Sequence, residues 1–127
     1  MQVITIVQTK GFCTDLFFDA GLAWTKKQLD AKQPFFTYIS LNAPHGPMYA
    51  PEKNIKRFTD QGFEAKAAAR YAMVENIDEN FGKLMNHLEQ WKALENTLVI
   101  FMTDNGMAMG SFKINGKKHE AHNAGMK

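Results

Sequence analysis

The feature that most constrains this sequence is an apolar stripe between Glu64 and Trp91. Its members step by three or four positions throughout: Ala67, Tyr71, Val74, Ile77, Phe81, Leu84, Leu88 and Trp91. This spacing places them on one face of a single long helix. A helix with such a face must bury it, and we expect the stripe to pack on a sheet.

Short segments rich in β-branched and aromatic residues predict the strands of that sheet. The segments are "VITIV" at 3–7, "FFTYISL" at 35–41 and a stretch at 97–102 within "NTLVIFMTDNG". A helix is predicted at about 14–30, where Thr14 caps the first turn, and another from Pro51 through "PEKNIKRF". After Gly106 no sustained period remains, which predicts a long irregular segment.

The alternation of strands and helices predicts an α/β protein with a mostly parallel sheet. In such sheets, ligands bind outside the carboxyl ends of the strands. Two loops leave strands at that end, "NAPHGP" after 35–41 and "TDNG" after 97–102. If the strands are parallel, both loops open on the same crevice.

Composition bounds the class of protein and its partners. The 127 residues suit one domain, and the net charge of +2 is too small to argue for a nucleic-acid or membrane partner. No apolar run approaches the ~20 residues of a membrane span, and the first ten residues do not have the pattern of a signal peptide. The single cysteine, Cys13, excludes a disulfide within the chain and leaves the compartment open.

His45 lies between Pro44 and Pro47, on no periodic face. One interpretation is a loop histidine bonded to a backbone group. The other is a donor to an anionic substrate, or an acid that protonates a leaving group. The two prolines would restrict the backbone and preorganise the imidazole.

Asp104 and Asn105 offer a carboxylate and an amide carbonyl side by side, which are hard oxygen donors suited to Ca²⁺ or Mg²⁺. Asp-Asn-Gly is also good chemistry for a plain turn. Two ligands do not fill a site that takes six or more oxygens, so a metal would need others. A second candidate metal cluster, formed by His119, Glu120 and His122, is better interpreted as a solvated loop, and Cys13 as a buried bystander.

Three ordered blocks resemble the sulfatase family: "FFTYISLNAPHGPMYAPEK", "YAMVENIDENFGKLMNHLEQ" and "NTLVIFMTDNG". The resemblance implies part of an alkaline-phosphatase-like three-layer α/β sandwich with a mostly parallel sheet, and hydrolysis of sulfate esters. Family members use a formylglycine nucleophile, made within a C/S-x-P/A-x-R motif, and a divalent cation, usually Ca²⁺. Carried across, Asp104 and Asn105 resemble the second half of the metal site, and His45 resembles the histidine that contacts the sulfate.

The sequence departs from the family pattern in what it lacks. The paired aspartates that open a sulfatase domain are absent, and Cys13 is followed by Thr-Asp-Leu, which does not fit the nucleophile motif. Lys127 falls before the family's lysine and does not take its role. We therefore expect residues 1–127 to be one partial catalytic domain, cut at both ends, with the nucleophile outside this chain and no activity alone.

Two alternatives to a sulfatase fragment remain open at this point. One is a fragment of a related phosphodiesterase or phosphonate monoester hydrolase, and the other is a non-catalytic α/β module. The resemblance implies a sugar or aryl sulfate ester as substrate, without choosing between them. Family members are often periplasmic, secreted or lysosomal.

Overall fold

The computed structural model describes residues 8–107 and 110–122. Its helices are α1 (Cys13–Asp30), α2 (Glu52–Thr59) and α3 (Ala65–Gln90), followed by a short 3₁₀ turn at Leu94–Asn96. The three predicted helices, at 14–30, after Pro51 and at 64–91, are confirmed. Each predicted end lies within one residue of the observed end. The strand predicted at 3–7 lies outside the described residues. Within those residues, no helix is both long and apolar enough to cross a membrane.

Helix α2 packs against α3 through a polar clamp at one buried asparagine. Asn54 is 2% exposed, and its Nδ2 donates to Glu75 Oε2 at 2.9 Å and to Glu79 Oε1 at 3.2 Å. Lys53 pairs with Glu79 at 3.1 Å, and Arg57 pairs with Glu75 at 2.5 Å. The clamp fixes the chain that follows the "NAPHGP" loop onto the long helix.

Helix α1 packs on another side of α3, again with a polar centre. Asp15 Oδ1 accepts from Asn76 Nδ2 at 2.9 Å and from Asn80 Nδ2 at 2.7 Å. The two asparagines are 2% and 5% exposed, so the carboxylate satisfies amides that water does not reach. Phe18 and Leu22 add buried apolar surface from α1.

The predicted stripe on α3 is confirmed in part. Ala67, Ile77 and Leu88 are buried, but Val74 is 47% exposed, so its predicted place in the core is wrong. The reason is that α3 has more than one buried face, and one of them is partly polar. Asn76 and Asn80 occupy it because Asp15 pairs with both, a partnership that a count of apolar residues does not register.

The predicted strands at 35–41 and 97–102 are not strands in the structure. We call these ranges the first and second extended segments. Within the described ranges, no backbone–backbone hydrogen bond reaches residues 35–41 or 98–102. The first segment nonetheless follows a strand-like alternation, with half-buried and exposed side chains in turn along 35–41, and the second follows it over 97–100 only. The residues are therefore arranged as strands arrange them, without the pairing that defines a sheet.

The prediction of an irregular segment after Gly106 is wrong for residues 111–120. Strands β1 (Ser111–Ile114) and β2 (Lys117–Glu120) form an antiparallel hairpin, which is the sheet of the described residues. Asn115 and Gly116 connect them with φ of 49° and 75°. Asn-Gly is a favoured two-residue hairpin connection because both residues tolerate positive φ. Phe112 of β1 stacks on Phe63 with ring centroids 5.8 Å apart, which docks the hairpin beside α3.

Candidate functional site

The "NAPHGP" loop is anchored on α3 by a small residue. Ala43 is 8% exposed and forms a buried cluster with Met73 and Ile77 of α3. Four half-buried apolar residues pack around this cluster: Phe12, Leu41, Met48 and Ala50. The loop is thereby held on both sides of His45, although the His45 ring itself is exposed.

A second anchor joins the same loop to the start of α1. The thiol of Cys13 donates to Asn42 Oδ1 at 3.3 Å, and the amide of His45 donates to Asn42 O at 2.9 Å. Cys13 is half-buried, so it is a loop contact rather than the buried bystander that we expected. Both X–Pro bonds of the loop, before Pro44 and Pro47, are cis.

The ring of His45 has one nitrogen committed and one open. Nδ1 lies 2.9 Å from the carbonyl oxygen of Gly46. A carbonyl only accepts, so Nδ1 carries the proton and donates, which assigns the tautomer of the neutral ring. Nε2 is then the nitrogen that faces a ligand, and it donates to an anion only when the ring is the doubly protonated imidazolium. Contact between Nε2 and a sulfate oxygen stays a prediction for His45, and it would require the doubly protonated ring.

The second candidate loop follows the second extended segment. Asp104 and Asn105 are exposed, and neither side chain hydrogen-bonds or pairs with another described residue. The hydroxyl of Thr103 donates to the backbone oxygen of Asn105 at 2.9 Å, which closes the turn. Upstream, the ring of Phe101 meets the ring of Phe81 on α3 edge-on, with centroids 5.2 Å apart.

The chain at each of the two loops contacts α3 at positions four residues apart. The His45 loop is anchored at Ile77 and the Asp104 segment at Phe81, and residues four apart in a helix lie on the same face. These two contacts with α3 are the structural observations that bear on the predicted crevice. The predicted separation of about 10 Å between the side chains of His45 and Asp104 stays a prediction.

A divalent cation fits the chemistry of Asp104 and Asn105, but these residues do not complete its coordination. Their side-chain oxygens are hard donors that no described residue occupies. Within residues 8–107 and 110–122, no group of three or more His, Cys, Asp or Glu side chains is close enough to hold a metal. This includes His119, Glu120 and His122, and the His119 ring instead stacks on Phe112 with centroids 5.9 Å apart.

Sequence reasoning missed the polar network at the α1–α3 contact. Asp15, Asn76 and Asn80 fix the helix that carries Cys13 against the helix that carries Ile77, and so fix both anchors of the His45 loop. A signal was present in "VENIDENF", where two asparagines four residues apart interrupt an apolar helix face. Polar side chains at such positions need a buried partner, and Asp15 on the preceding helix was available.

Comparison with known proteins decides the family. The family model for sulfatases matches residues 5–127. This chain belongs to the sulfatase family. It is 34% identical over 97 residues to the N-acetylgalactosamine-6-sulfatase of Canis lupus familiaris, covering 76% of this chain and 17% of that protein. It is 30% identical over 113 residues to the uncharacterised sulfatase YdeN of Escherichia coli K12, covering 87% and 20%.

A solved structure agrees with the sequence relatives. The crystal structure of Ps i-CgsB superposes with a TM-score of 0.73 at 31% identity, over 79% of this chain and 22% of that one. The same protein has been solved in complex with k-i-k-neocarrahexaose, again with a TM-score of 0.73. These likenesses give the chain the alkaline-phosphatase-like α/β class. The chain spans about a fifth of the length of these two sulfatases and of the Ps i-CgsB chain.

Proposed function

We propose that this chain supplies one side of the active site of a sulfatase, which hydrolyses sulfate esters. The observation that carries the proposal is the shared anchorage of the two candidate loops at Ile77 and Phe81 of α3. One helix then presents an imidazole and a pair of oxygen donors towards the same region. Membership of the sulfatase family supports this reaction over phosphodiester or phosphonate hydrolysis.

In this proposal His45 contacts the sulfate group. Nε2 donates to a sulfate oxygen while Nδ1 stays bonded to Gly46 O, so the ring is oriented before substrate arrives. A charge-assisted hydrogen bond to an anion is about twice as strong as a neutral one. Negative charge that builds on the sulfate oxygens during bond cleavage would strengthen it further, which is the condition for lowering a barrier.

Asp104 and Asn105 would hold a divalent cation, Ca²⁺ or Mg²⁺. Bound there, the cation supplies Lewis-acid polarisation of the sulfate. The described residues offer these two donors but hold no group of three or more metal-binding side chains, so further ligands are expected from outside this chain. The formylglycine nucleophile is likewise expected outside this chain, because Cys13 lacks the required motif and its thiol is bonded to Asn42.

The substrate that we propose is a sulfated sugar rather than an aryl sulfate. Two observations support it: the relative named N-acetylgalactosamine-6-sulfatase, and a structural neighbour solved with a carrageenan oligosaccharide. We also propose that the extended segments become strands of a mostly parallel sheet in the complete three-layer domain. The alternating burial of 35–41 and 97–100 supports this, as does the lack of backbone partners for 35–41 and 98–102 within the described residues.

The metal half of the proposal is testable on the 127-residue chain by NMR titration with CaCl₂ and MgCl₂. Shifts should centre on Asp104 and Asn105 and saturate at millimolar concentration or above, since an incomplete site leaves the ion most of its water. Asp104→Ala should remove them, whereas Asp78→Ala, an exposed carboxylate on α3, should not. Micromolar binding would show that the site is complete within this chain, and shifts elsewhere would refute the assignment.

The catalytic half requires these residues within a complete sulfatase domain. There, His45→Ala should lower kcat/KM for release of sulfate from a sulfated oligosaccharide by roughly 10²–10³-fold, the range for loss of one transition-state donor. His87→Ala, on the far part of α3, serves as the matched control. The isolated chain should release no sulfate, and turnover by it would contradict the absence of a nucleophile here.

A further inference from the structure

The β1–β2 hairpin is a firmly held platform. The amide of Glu64 donates to Lys113 O at 2.9 Å, and the amide of Asn115 donates to Gly62 O at 2.8 Å. On its inner face, Phe112 is 8% exposed and meets the ring of Tyr71 with centroids 5.5 Å apart. Backbone bonds and aromatic packing thus fix the inner face, and the outer face keeps a defined geometry.

The outer face sets two lysines side by side. In the hairpin register, Lys113 pairs directly with Lys118. Directly opposite residues have Cβ atoms about 4.5–5.5 Å apart, and like charges at such positions are destabilising. Lys118 is partly neutralised by Glu120, whose Oε1 lies 2.7 Å from its Nζ, whereas Lys113 forms no ion pair with another described residue. The hairpin therefore retains a repulsion that an anion bridging both ammonium groups would relieve.

The charge of the chain is concentrated in this region. The hairpin range 110–122 holds three lysines and one glutamate, while the acidic and basic side chains of residues 1–109 nearly balance. No nucleic-acid signature accompanies the lysines, because the aromatic residues of the hairpin face inward to the packing against Phe63 and Tyr71. The outer face fits a ligand with spaced single anionic groups rather than stacking bases.

We propose that Lys113 and Lys118 form a binding surface for a sulfate-bearing polysaccharide, holding a sulfate other than the one that is cleaved. The choice of a sulfated sugar rests on the proposed function. The surface would make this sulfatase one for multiply sulfated chains, because a singly sulfated sugar offers no second group to the hairpin. Binding would depend steeply on salt, as it does when lysines displace counterions from a polyanion.

The test is calorimetry of the whole 127-residue chain with a sulfated carrageenan hexasaccharide at two salt concentrations. The double variant Lys113→Gln/Lys118→Gln should weaken binding about tenfold, as expected for two exposed ion pairs. The control Lys27→Gln/Lys92→Gln removes the same charge at two other exposed positions and should change affinity less than about twofold. Lys113→Glu, which places opposite charges across the hairpin, should fold and should bind no better than the double variant.

Each outcome decides the proposal. Hairpin-specific loss, with amide shifts at 113 and 118 on titration, supports it. Equal losses in both double variants, no binding by the wild-type chain, equal binding of the desulfated hexasaccharide, or equal binding of a DNA dodecamer at the same salt would each overturn it. The readout is binding, so this test is independent of catalysis. If a complete domain released no sulfate but still bound the hexasaccharide at the hairpin, the proposed function would be refuted and this binding surface would stand.

Discussion

Helix α3 and the first extended segment each have one more buried face and one more exposed face, but they satisfy their polar backbones in different ways. An α-helix such as α3 pairs its interior amides within itself, and its neighbours α1 and α2 pack against it. Apart from the amide of Thr97, which donates to Leu94 O, the extended segments have no backbone partner within residues 8–107 and 110–122. Their outward side chains are large and apolar, with Phe36 85% exposed and Leu98 86% exposed.

The difference separates what a chain can complete locally from what it cannot. A helix closes its hydrogen bonds within itself, whereas a strand depends on neighbours. We therefore expect α1, α2 and α3 to supply most of the folding stability. The extended segments contribute to it only through the side chains that pack on the helices. Ile39 illustrates this: it packs on Gly21 of α1 while Tyr38 beside it is 79% exposed.

The largest expected contrast pairs two phenylalanines. Phe18 of α1 is 4% exposed, so Phe18→Ala should lower the free energy of unfolding by about 3–5 kcal/mol. Phe36→Ala, at 85% exposure, should change it by less than about 0.5 kcal/mol. Urea denaturation followed by circular dichroism measures both. Similar losses would break the comparison, because Phe36 would then have a packing partner in solution.

A smaller contrast pairs two aspartates of α1. Asp15→Ala leaves the buried amides of Asn76 and Asn80 without their carboxylate and should cost about 2–3 kcal/mol. Asp19 pairs with Lys83 at the surface, so Asp19→Ala should cost at most about 1 kcal/mol. Asp15→Asn keeps an accepting oxygen and should recover part of the loss. If both alanine variants unfold at the same urea concentration, the network does not hold α1 on α3.

The smallest single effects are expected at two helical glycines, where the signs should differ. A Cβ at Gly21 would lie 2.8 Å from Ile39 Cδ1, so Gly21→Leu should destabilise by about 1–2 kcal/mol through overpacking. At Gly82 a Cβ meets no described atom within 4 Å, and Gly82→Leu should stabilise by up to about 1 kcal/mol through helix propensity. Thermal melts of the two variants compare them directly. A stabilising Gly21→Leu would show that the first extended segment is not docked on α1.

The sequence predicted the helices, which form their backbone hydrogen bonds locally. It failed for the strands, whose pairing depends on distant segments. The helices follow from the apolar period and from Pro51, so their ends were predicted to within a residue. The predicted cap was wrong, because the N-cap of α1 is Phe12, without a side-chain hydrogen bond, and Thr14 lies within the helix. The segment after Gly106 was misjudged because the Asn115-Gly116 pair, a hairpin signal, was passed over amid lysines and glycines. The parallel sheet was predicted from the alternation of strand-like segments with helices, and the segments themselves from residue type. No pairing within the described residues bears it out, because strand pairing is a long-range property.

In the candidate site, too, some features were visible in the local sequence and others depend on distant contacts. The isolation of His45 between prolines and the donor chemistry of Asp104 and Asn105 are visible in the sequence. What holds His45 is not: the buried Ala43 and the thiol of Cys13 were assigned no role. Small residues and a lone cysteine carry no local signal, since their importance comes from a contact 29 residues away for Cys13 and from α3 for Ala43.

The hydrogen bonds of the Asp15 carboxylate also bear on the order in which the helices associate during folding. It joins residues 61 and 65 positions away along the chain, whereas the Asn54–Glu75 contact spans 21. Closing a loop three times longer costs about 1 kcal/mol more in chain entropy, so α2 and α3 should associate first and α1 should join late. Asp15→Ala should then accelerate unfolding in stopped-flow traces and leave the refolding rate nearly unchanged. The His45 loop, which needs both α1 and α3, is completed only at that last step.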